Sequence, residues 1–535
     1  MILKFAQLPV AIFLILVAVP VGSAADSAGL EDRLIQAQDS SLPTSRANNI
    51  LKQLRAFYAQ RDYRPFWFED SRLSPRGQAL LNALAKAAEH GLIPETYSAK
   101  ALAERASKLQ VEKIPELEIN LTLAYLKYAA DVSSGILESA RRKSGTDRDV
   151  ISKWLQDIAG AEDFVTYFDR LPPGIRGYKD LKAALANYRK IDEGGAWQVV
   201  DKGPALQAGM KGTRVAQIKR RLIRTGEIVS EGDAQLFDDD LVAGVKKFQQ
   251  RHGLKEDGNV GADTIAELNV PVSVRIDQIT INLERLRGLS ANLGERYILV
   301  NVANNELKII ENDKTIYAAR VIVGRPDHET PVFSALLTYI EINPYWNVPH
   351  GIAVNELLPK IKANPGFLSA NGYLLLRRNG DNSSAIEAAS VDWSTVSQQN
   401  FPYFLRQKPG PQNALGTIAF MFPNPHNVFI HDTPGKSLFG LTARYFSHGC
   451  VRVQFPVKLA LLLLDRQENG QWNENRINSI FETNEQTRVE LKRPIPVNIA
   501  YATAWAEMDG AVHFRKDTYK RDGKLKRVIE QVAQK

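Results

Sequence analysis

Apolar positions in the first part of the chain repeat with the period of a helix. Residues 50–191 carry apolar side chains at three- and four-residue spacing, and Gly91 follows one such run, where a helix C-cap belongs. This pattern predicts a helical domain over residues 49–198. The segment before it, residues 26–48, is polar, and we expect it to be loosely ordered.

A second region, residues 199–271, combines apolar helix faces with glycines at the turns, among them Gly226 and Gly258. Glycine is favoured where a helix ends, because it adopts the left-handed conformation without steric cost. The pattern predicts a compact three-helix domain. Residues 272–294 follow as an amphipathic helix that links this domain to the rest of the chain.

The period changes to that of β-strands after residue 294. Short β-branched runs alternate with clusters of Asn, Asp and Gly, which is typical of strands joined by turns; the runs are 297–302, 306–310, 318–323 and 337–342. They predict a mainly antiparallel β domain over residues 295–505, with a polar, irregular insertion at 371–410 and a basic tail at 506–535. The whole chain is thus expected to be a multidomain α+β protein.

The first 25 residues have the pattern of a signal peptide. Lys4 is the basic start, residues 8–21 are the apolar core, and residues 22–25 supply small side chains for cleavage. The apolar run is shorter than the roughly 20 residues that span a bilayer. We therefore expect an exported protein of the periplasm or cell envelope, without a stable membrane span. An uncleaved N-terminal anchor is the alternative.

Composition narrows the class of partner. The chain of 535 residues is 44% hydrophobic and 24% charged, which is ordinary for a globular protein, and its net charge is +8. A basic surface suits nucleic acid or an anionic polymer. Because export is expected, an envelope polymer is the more sensible partner, and no nucleic acid is predicted.

One stretch carries candidate chemistry. Cys450 is the only cysteine in the chain, with His448 two positions before it and His431 nineteen before it. A thiol and an imidazole suffice for acyl transfer, because the base generates the thiolate and stores its proton. Gly449 permits a tight turn, and backbone N–H groups of Gly449 and Cys450 could form an oxyanion hole. The alternative is a buried cysteine that packs as a small hydrophobe.

The same residues resemble a known signature. His431, a gap of fifteen residues and Ser447-His448-Gly449-Cys450-Val451-Arg452 are similar to the L,D-transpeptidase (YkuD-like) catalytic domain, as are residues 343–349 and 413–416. Residues 62–67 and 90–97 resemble the helical scaffold domain of its longer members, and residues 199–271 resemble a peptidoglycan-binding domain. Larger members carry a lid over the active site at the position of the insertion, and we prefer that interpretation to a disordered loop.

The resemblance implies a reaction. Cys450 attacks the L-configured carbonyl of the diamino acid at position three of a peptidoglycan stem peptide, D-alanine leaves, and a thioester forms. An amine of a neighbouring stem then completes a 3→3 cross-link, whereas water as acceptor would give an L,D-carboxypeptidase. A carbapenem is the implied covalent inhibitor. A non-catalytic wall-binding scaffold and a cysteine peptidase acting on protein are the remaining alternatives.

The resemblance also implies roles for individual side chains. His431 is the base, with His448 and Gly449 supporting the catalytic site, and the third member of the site falls at Asp432, whose acidity leaves its role open. Arg452 either binds a substrate carboxylate or forms a structural salt bridge. The implied substrate-binding positions are Ser447, Arg452, Asp432, Tyr345 and Trp346. No cofactor is implied, and the scattered histidines offer no zinc set, so no metal is expected.

Overall fold

The computed structural model describes residues 26–39, 45–137, 144–289, 293–364, 366–379, 382–465, 467 and 471–533. The expected signal peptide at 1–25 lies outside these residues. The chain divides into two compact units, a helical unit of residues 1–292 with 503–535 and a β unit of residues 293–502. No helix within the described ranges is both long and apolar enough to cross a membrane.

The helices of the helical unit up to residue 170 pack around one core, whereas the helix Arg176–Glu193 packs on a second core with residues 272–283, 504–506 and 512–514. Ser74 caps the helix Pro75–Ala85 by accepting a hydrogen bond from Gly77 N–H, and Pro75 occupies the first helical position. Short 3₁₀ turns at Ala87–His90, Pro94–Tyr97 and Val111–Lys113 join the helices. In chain order the elements are α1 (Asp26–Asp39), α2 (Ser45–Ala59), β1 (Phe68–Glu69), β2 (Arg72–Leu73), α3 (Pro75–Ala85), α4 (Ala99–Ser107), α5 (Ile114–Ser134), α6 (Ser144–Ala159), α7 (Phe164–Arg170) and α8 (Arg176–Glu193).

The polar N-terminal segment is more ordered than its composition predicts. Residues 26–39 form α1, and α2 begins at Ser45, inside the segment expected to be loosely ordered. Leu30 and Leu34 lie four residues apart on one face of α1 and are fully buried in the helical core. Two well-placed leucines are therefore enough to attach a mostly polar helix.

The three-helix domain has its own core. Its helices are α9 (Thr213–Thr225), α10 (Asp239–Arg251) and α11 (Ala262–Leu268), followed by α12 (Val272–Arg287). Gly226 ends α9 with φ 79°, as expected for a glycine C-cap. Asp238 caps α10 by accepting a hydrogen bond from Leu241 N–H at 2.9 Å. The sequence pattern of apolar faces and turn glycines corresponds to these helices.

The β unit is built on strands β3 to β15, which are, in chain order, β3 (Arg296–Asn301), β4 (Glu306–Glu311), β5 (Lys314–Gly324), β6 (Phe333–Ile342), β7 (Trp346–Asn347), β8 (Tyr373–Asn379), β9 (Asn382–Ile386), β10 (Tyr403–Gln407), β11 (Ile418–Met421), β12 (Ile430–His431), β13 (Tyr445–Ser447), β14 (Val451–Val453) and β15 (Thr487–Ala500). Within the described residues, the larger sheet has the order β13-β5-β14-β12-β11-β6-β15-β3-β4. β4 also pairs with β5, so the sheet closes on itself. Most of its pairs are antiparallel, and the prediction of an α+β fold with a mainly antiparallel β domain is confirmed.

The insertion differs from its prediction in extent and in order. Residues 346–407, which we call the insertion, contain a sheet of order β7-β10-β8-β9 and a separate apolar core. The sequence predicts a polar, irregular insertion at 371–410. This prediction leaves out the apolar first half of the core. The other elements are α13 (His350–Ile352), a π-helical turn (Ala353–Leu357), α14 (Leu358–Ala363), α15 (Phe367–Ala370) and a 3₁₀ turn (Ala388–Ser390).

After the insertion, a 3₁₀ turn (Lys436–Gly440) and helices α16 (Pro456–Leu464) and α17 (Glu474–Thr483) complete the β unit. The chain then returns to the helical unit through β16 (Ala504–Ala506), β17 (Val512–Phe514) and α18 (Asp522–Ala533). Ile529 is buried in the core of that unit. The segment expected to be a basic tail is thus part of a folded unit, because α18 is amphipathic as well as basic.

Candidate active site

Two parallel strands bring the histidine and the cysteine segments together. β12 and β14 are parallel neighbours in which Ile430 lies opposite Val451 and His431 opposite Arg452. Val451 N–H donates to Phe429 O at 3.0 Å. Because side chains alternate along a strand, His431 and Arg452 point to one face, and Cys450 continues that face two residues before Arg452. Residues distant in sequence therefore meet at one end of this strand pair.

The thiol of Cys450 is half-buried. Burial raises its pKa above the usual value, while a hydrogen bond from the backbone of Phe429 and the charge of Arg452 act in the opposite direction. Its Sγ also lies 3.9 Å from Asn427 O. A thiol in this setting needs a base, or a neighbouring positive charge, to become a thiolate at neutral pH.

The turn before Cys450 is tightly braced. Gly449 has φ 116°, a conformation that side-chain-bearing residues rarely adopt. Ser447 Oγ donates to Cys450 O at 2.5 Å and accepts from Gly449 N–H at 3.1 Å. Thr330 Oγ1 donates to Gly449 O at 2.8 Å and accepts from Gly324 N–H at 2.9 Å. The Ser447 hydroxyl thus stabilises the turn through hydrogen bonds within it.

This bracing changes which backbone donors are available. The Gly449 N–H, one of the two donors expected for an oxyanion hole, already donates to Ser447 Oγ. Across the described part of the chain, no hydrogen bond is recorded for Cys450 N–H. Of the two expected donors, Cys450 N–H is therefore the one available to a substrate oxygen.

The ring of His431 is buried and held by backbone. Its Nδ1 lies 2.5 Å from Asp432 O. A carbonyl oxygen only accepts, so Nδ1 carries the proton and Nε2 is unprotonated in the neutral ring. Burial and the charge of Arg452 lower the pKa of His431 to about 3, although backbone hydrogen bonds with Asp432 and Leu415 oppose this shift. In the described residues no hydrogen bond joins His431 directly to Cys450.

The carboxylate of Asp432 is occupied in its own loop. Its Oδ2 accepts from Thr417 N–H and from Thr417 Oγ1, each at 3.0 Å, and its Oδ1 pairs with Lys436 Nζ. Gly416 has φ 65°, and a Cβ at that position would lie 2.4 Å from the Asp432 carboxylate. The carboxylate therefore fixes the loop, while the backbone carbonyl of Asp432 meets the His431 ring.

His448 is tied to charged neighbours. Its Nε2 contacts the Glu356 carboxylate, Arg325 Nη2 lies 3.2 Å away, and the His328 ring centroid lies 5.0 Å from its own. A carboxylate accepts hydrogen bonds, so the Nε2 atom of His448 is the protonated one. His448 is therefore engaged by partners other than Cys450.

Arg452 reaches towards Cys450 and His431 without a recorded partner of its own. Its charge acts on both residues, and its Nε is buried with no hydrogen-bond partner among the described residues. Among the described residues, no carboxylate lies within 4.0 Å of the Arg452 guanidinium. The salt bridge considered as the structural alternative is therefore not formed. The guanidinium thus keeps hydrogen-bonding capacity beside the thiol.

Of the two aromatic residues predicted from the sequence, Trp346 is the first residue of the insertion and Tyr345 directly precedes it. Trp346 packs on the insertion's core, with its ring centroid 6.3 Å from that of Tyr373. Arg406 lies over the Tyr345 ring at 5.8 Å. Neither aromatic side chain has a recorded contact with Cys450, His431 or Arg452 in the described part of the chain.

Sequence patterns did not reveal several residues around the site. Thr330, Arg325 and Glu356 lie on segments about 90 or more residues before the contacts they make. Asn413, by contrast, lies in residues 413–416, which resemble the family signature. Its buried amide donates to Pro344 O at 3.0 Å and to Lys408 O at 2.9 Å. It thereby joins the two ends of the insertion. Within the residues described, no group of His, Cys, Asp and Glu is arranged to hold a metal ion.

Comparison with protein families matches three stretches of the chain. The description "L,D-transpeptidase catalytic domain" matches residues 295–471, "Putative peptidoglycan binding domain" matches 211–268, and "Scaffold domain" matches 52–185. The "Putative L,D-transpeptidase" of Haemophilus influenzae is 34% identical over 248 residues, which cover 46% of this chain and 48% of that protein. The match therefore spans about half the length of this curated relative.

Solved structures give weaker likenesses. An L,D-transpeptidase from Stackebrandtia nassauensis is 12% identical with a TM-score of 0.20, covering 57% of this chain and 97% of that one. The L,D-transpeptidase from Xylanimonas cellulosilytica is 14% identical with a TM-score of 0.18, covering 56% and 99%. Residues 295–471, which contain the His431 and Cys450 motifs, thus match the family of L,D-transpeptidase catalytic domains.

Proposed function

We propose that the chain is a cysteine-dependent L,D-transpeptidase that forms 3→3 cross-links between peptidoglycan stems. The observation that carries this proposal is the parallel pairing of β12 with β14, since it gathers a thiol, an imidazole and a guanidinium on one face. These three groups are the components that acyl transfer from a peptide ending in a carboxylate requires. Cys450 is the nucleophile, and His431 is the base.

Before substrate binds, the Cys450 thiol and the His431 imidazole are both neutral. Burial raises the pKa of the Cys450 thiol, and the pKa of His431 is lowered to about 3, so a proton does not move spontaneously from sulfur to imidazole. Proton transfer is then coupled to attack on the substrate carbonyl. His431 is ready for this step, because the Asp432 carbonyl holds the proton on Nδ1 and leaves Nε2 as the acceptor.

Acylation proceeds in two bond changes. The Cys450 sulfur bonds to the L-configured carbonyl carbon of the third stem residue as His431 takes the thiol proton, and Cys450 N–H donates to the developing oxyanion. The C–N bond to D-alanine then breaks, and the imidazolium returns its proton to the leaving amine. Because burial disfavours charged His431, this second transfer is favourable.

Deacylation reverses the same steps with a new acceptor. The amine of a second stem attacks the thioester, His431 removes its proton, and the thiolate leaves to be reprotonated. In the preceding acylation step, Arg452 binds the carboxylate of the leaving D-alanine, since its buried Nε has no recorded partner among the described residues and lies near the thiol. If water replaces the amine, the same thioester gives a tripeptide, which is the L,D-carboxypeptidase outcome.

The domain order supports a wall substrate. Residues 211–268 match a peptidoglycan-binding description, and the enzyme domain follows them in the same chain. Stem peptides lie outside the cytoplasmic membrane, so the proposal includes export to the periplasm or envelope.

The strained carbonyl of a carbapenem is a further acyl donor for Cys450, and we expect a stable covalent adduct.

Product analysis tests the proposal. Purified protein is incubated with a disaccharide-tetrapeptide muropeptide, and the products are identified by mass spectrometry. A dimer one D-alanine lighter than two monomers supports transpeptidation, and a tripeptide monomer supports the carboxypeptidase. Unchanged substrate, together with an intact mass unaltered by a carbapenem, would overturn the enzyme assignment in favour of a non-catalytic wall-binding protein.

A further inference from the structure

Glu356 belongs to the insertion but its carboxylate contacts the loop of Cys450. It lies in the π-helical turn Ala353–Leu357, between α13 and α14. Ala353, Val354 and Leu357 in the same turn are buried in the insertion's core, which fixes the backbone from which Glu356 projects. The carboxylate reaches His448, 92 residues later in the sequence. Single π turns are frequent at functional sites, where they redirect a side chain.

The contact determines the tautomer of His448. The carboxylate accepts a hydrogen bond from Nε2–H, so Nδ1 is left unprotonated in the neutral ring. Arg325 Nη2 lies 3.2 Å from the same Nε2, but both atoms are then donors, and no hydrogen bond forms between them. The remaining ionisable neighbours are His328, whose ring lies 5.0 Å away, and Asp327, which lies within ion-pair distance of Arg325 and His328. Glu356 is therefore the acceptor that orients this ring.

The ring in turn belongs to the braced turn. His448 stands between Ser447, whose hydroxyl bonds to Cys450 O, and Gly449, whose φ is 116°. A displaced His448 ring alters the backbone on which the available Cys450 N–H is mounted. The contact of Glu356 with His448 thus connects the insertion to the geometry of the nucleophile and its oxyanion donor.

We propose that Glu356 is a positioning residue for the acyl-transfer reaction, which acts by holding His448 as its Nε2-protonated tautomer. This inference rests on the proposed function. Glu356 itself does not touch the substrate in this scheme. Its removal slows acylation of Cys450 without preventing it, and the expected loss is about tenfold, as for one hydrogen bond to a charged group.

A double-mutant cycle tests whether Glu356 acts through His448. The rate of carbapenem adduct formation is measured by intact mass for wild type, Glu356→Ala, His448→Ala and the double variant, all in the full chain. We expect Glu356→Ala to lower the rate of adduct formation about tenfold when His448 is present and only slightly in the His448→Ala background. The effects of two substitutions are not additive when the residues act through each other. Glu387→Ala, an exposed glutamate of the same insertion, is the matched control and should react at the wild-type rate.

A spectroscopic readout separates positioning from general loss of structure. The chain has 8 histidines, so ¹⁵N-histidine labelling gives few ring signals, and His448→Gln identifies the one of interest. Wild type should show the Nε2-protonated pattern of ¹⁵N shifts. Glu356→Gln should show a mixture of tautomers, because an amide both donates and accepts.

The outcomes are distinguishable. If wild type forms no adduct and no cross-link, the proposed function fails. If wild type reacts but Glu356→Ala reacts at the same rate, or its loss persists in full in the His448→Ala background, the inference is wrong. An unchanged ¹⁵N tautomer in both Glu356 variants would equally overturn it, even if their activity fell.

Discussion

His431 and His448 are held in opposite tautomers. The Asp432 carbonyl accepts a hydrogen bond from Nδ1–H of His431, and the Glu356 carboxylate accepts one from Nε2–H of His448. The two rings therefore offer different nitrogens for proton transfer, and only His431 combines a backbone-fixed orientation with a place beside Arg452 in the strand pair. This difference is the basis for assigning the base to His431.

His431→Ala should lose about 10²–10⁴-fold in acylation rate, the usual contribution of a general base. It should also raise the pH at which iodoacetamide alkylates Cys450, because the thiol then ionises without help. His448→Ala should lose less in rate and shift the alkylation profile little. Stopped-flow acylation and pH-dependent alkylation measure both effects. The reverse order of the two variants would assign the base to His448.

Cys450→Ser should remove acylation while leaving the fold intact. A serine hydroxyl has a far higher pKa than a thiol, and a base with a pKa of about 3 cannot activate it. The measurement is intact mass after carbapenem exposure, with circular dichroism and thermal unfolding as the control for folding. Wild-type cross-linking by the folded variant would exclude Cys450 as nucleophile.

Arg452→Gln should shift the titration of Cys450 upwards. The positive charge of Arg452 lowers the pKa of the Cys450 thiol, which burial has raised, so its removal raises that pKa further. Alkylation by iodoacetamide should then need a higher pH than in wild type. Arg488→Gln, an exposed arginine of β15, is the matched control and should leave the profile unchanged. A downward shift in Arg452→Gln would contradict the electrostatic role.

Gly416→Ala should loosen the loop that carries Asp432. The new Cβ would lie 2.4 Å from the Asp432 carboxylate, and φ 65° is costly for alanine, with strain of about 1–3 kcal/mol expected. Faster amide hydrogen exchange should appear in peptides covering residues 413–432. Gly351→Ala is the control, because a Cβ there meets nothing within 4 Å. Equal exchange in both variants would show that the Gly416 site accommodates a methyl group.

The sequence was most informative where function is local. His431 and the Ser447–Arg452 run were found because each is a short contiguous motif. Their tautomers and the use of Gly449 N–H were not accessible, because both depend on Asp432 O and Ser447 Oγ in three dimensions.

Elsewhere, composition was misleading. Residues 26–39 look polar, yet two leucines anchor a helix. The insertion was expected to be irregular because its apolar first half, from Trp346, was not recognised as part of it. Glu356 gave no signal, since its partner is 92 residues away. Contacts between distant segments are decided by packing, which a periodicity within one window does not record.

The division of the chain into units has a consequence for its biosynthesis. The β unit is inserted into the helical unit, whose own chain resumes at Thr503 and supplies β16, β17 and α18. Thr503 N–H and Oγ1 bond to Asn282 of α12, so part of that unit's hydrogen bonding is completed by its last residues. The helical unit is therefore completed only after the whole β unit has been synthesised. A chain that ends before Thr503 keeps every residue of the β unit but lacks β16, β17 and α18 of the helical unit.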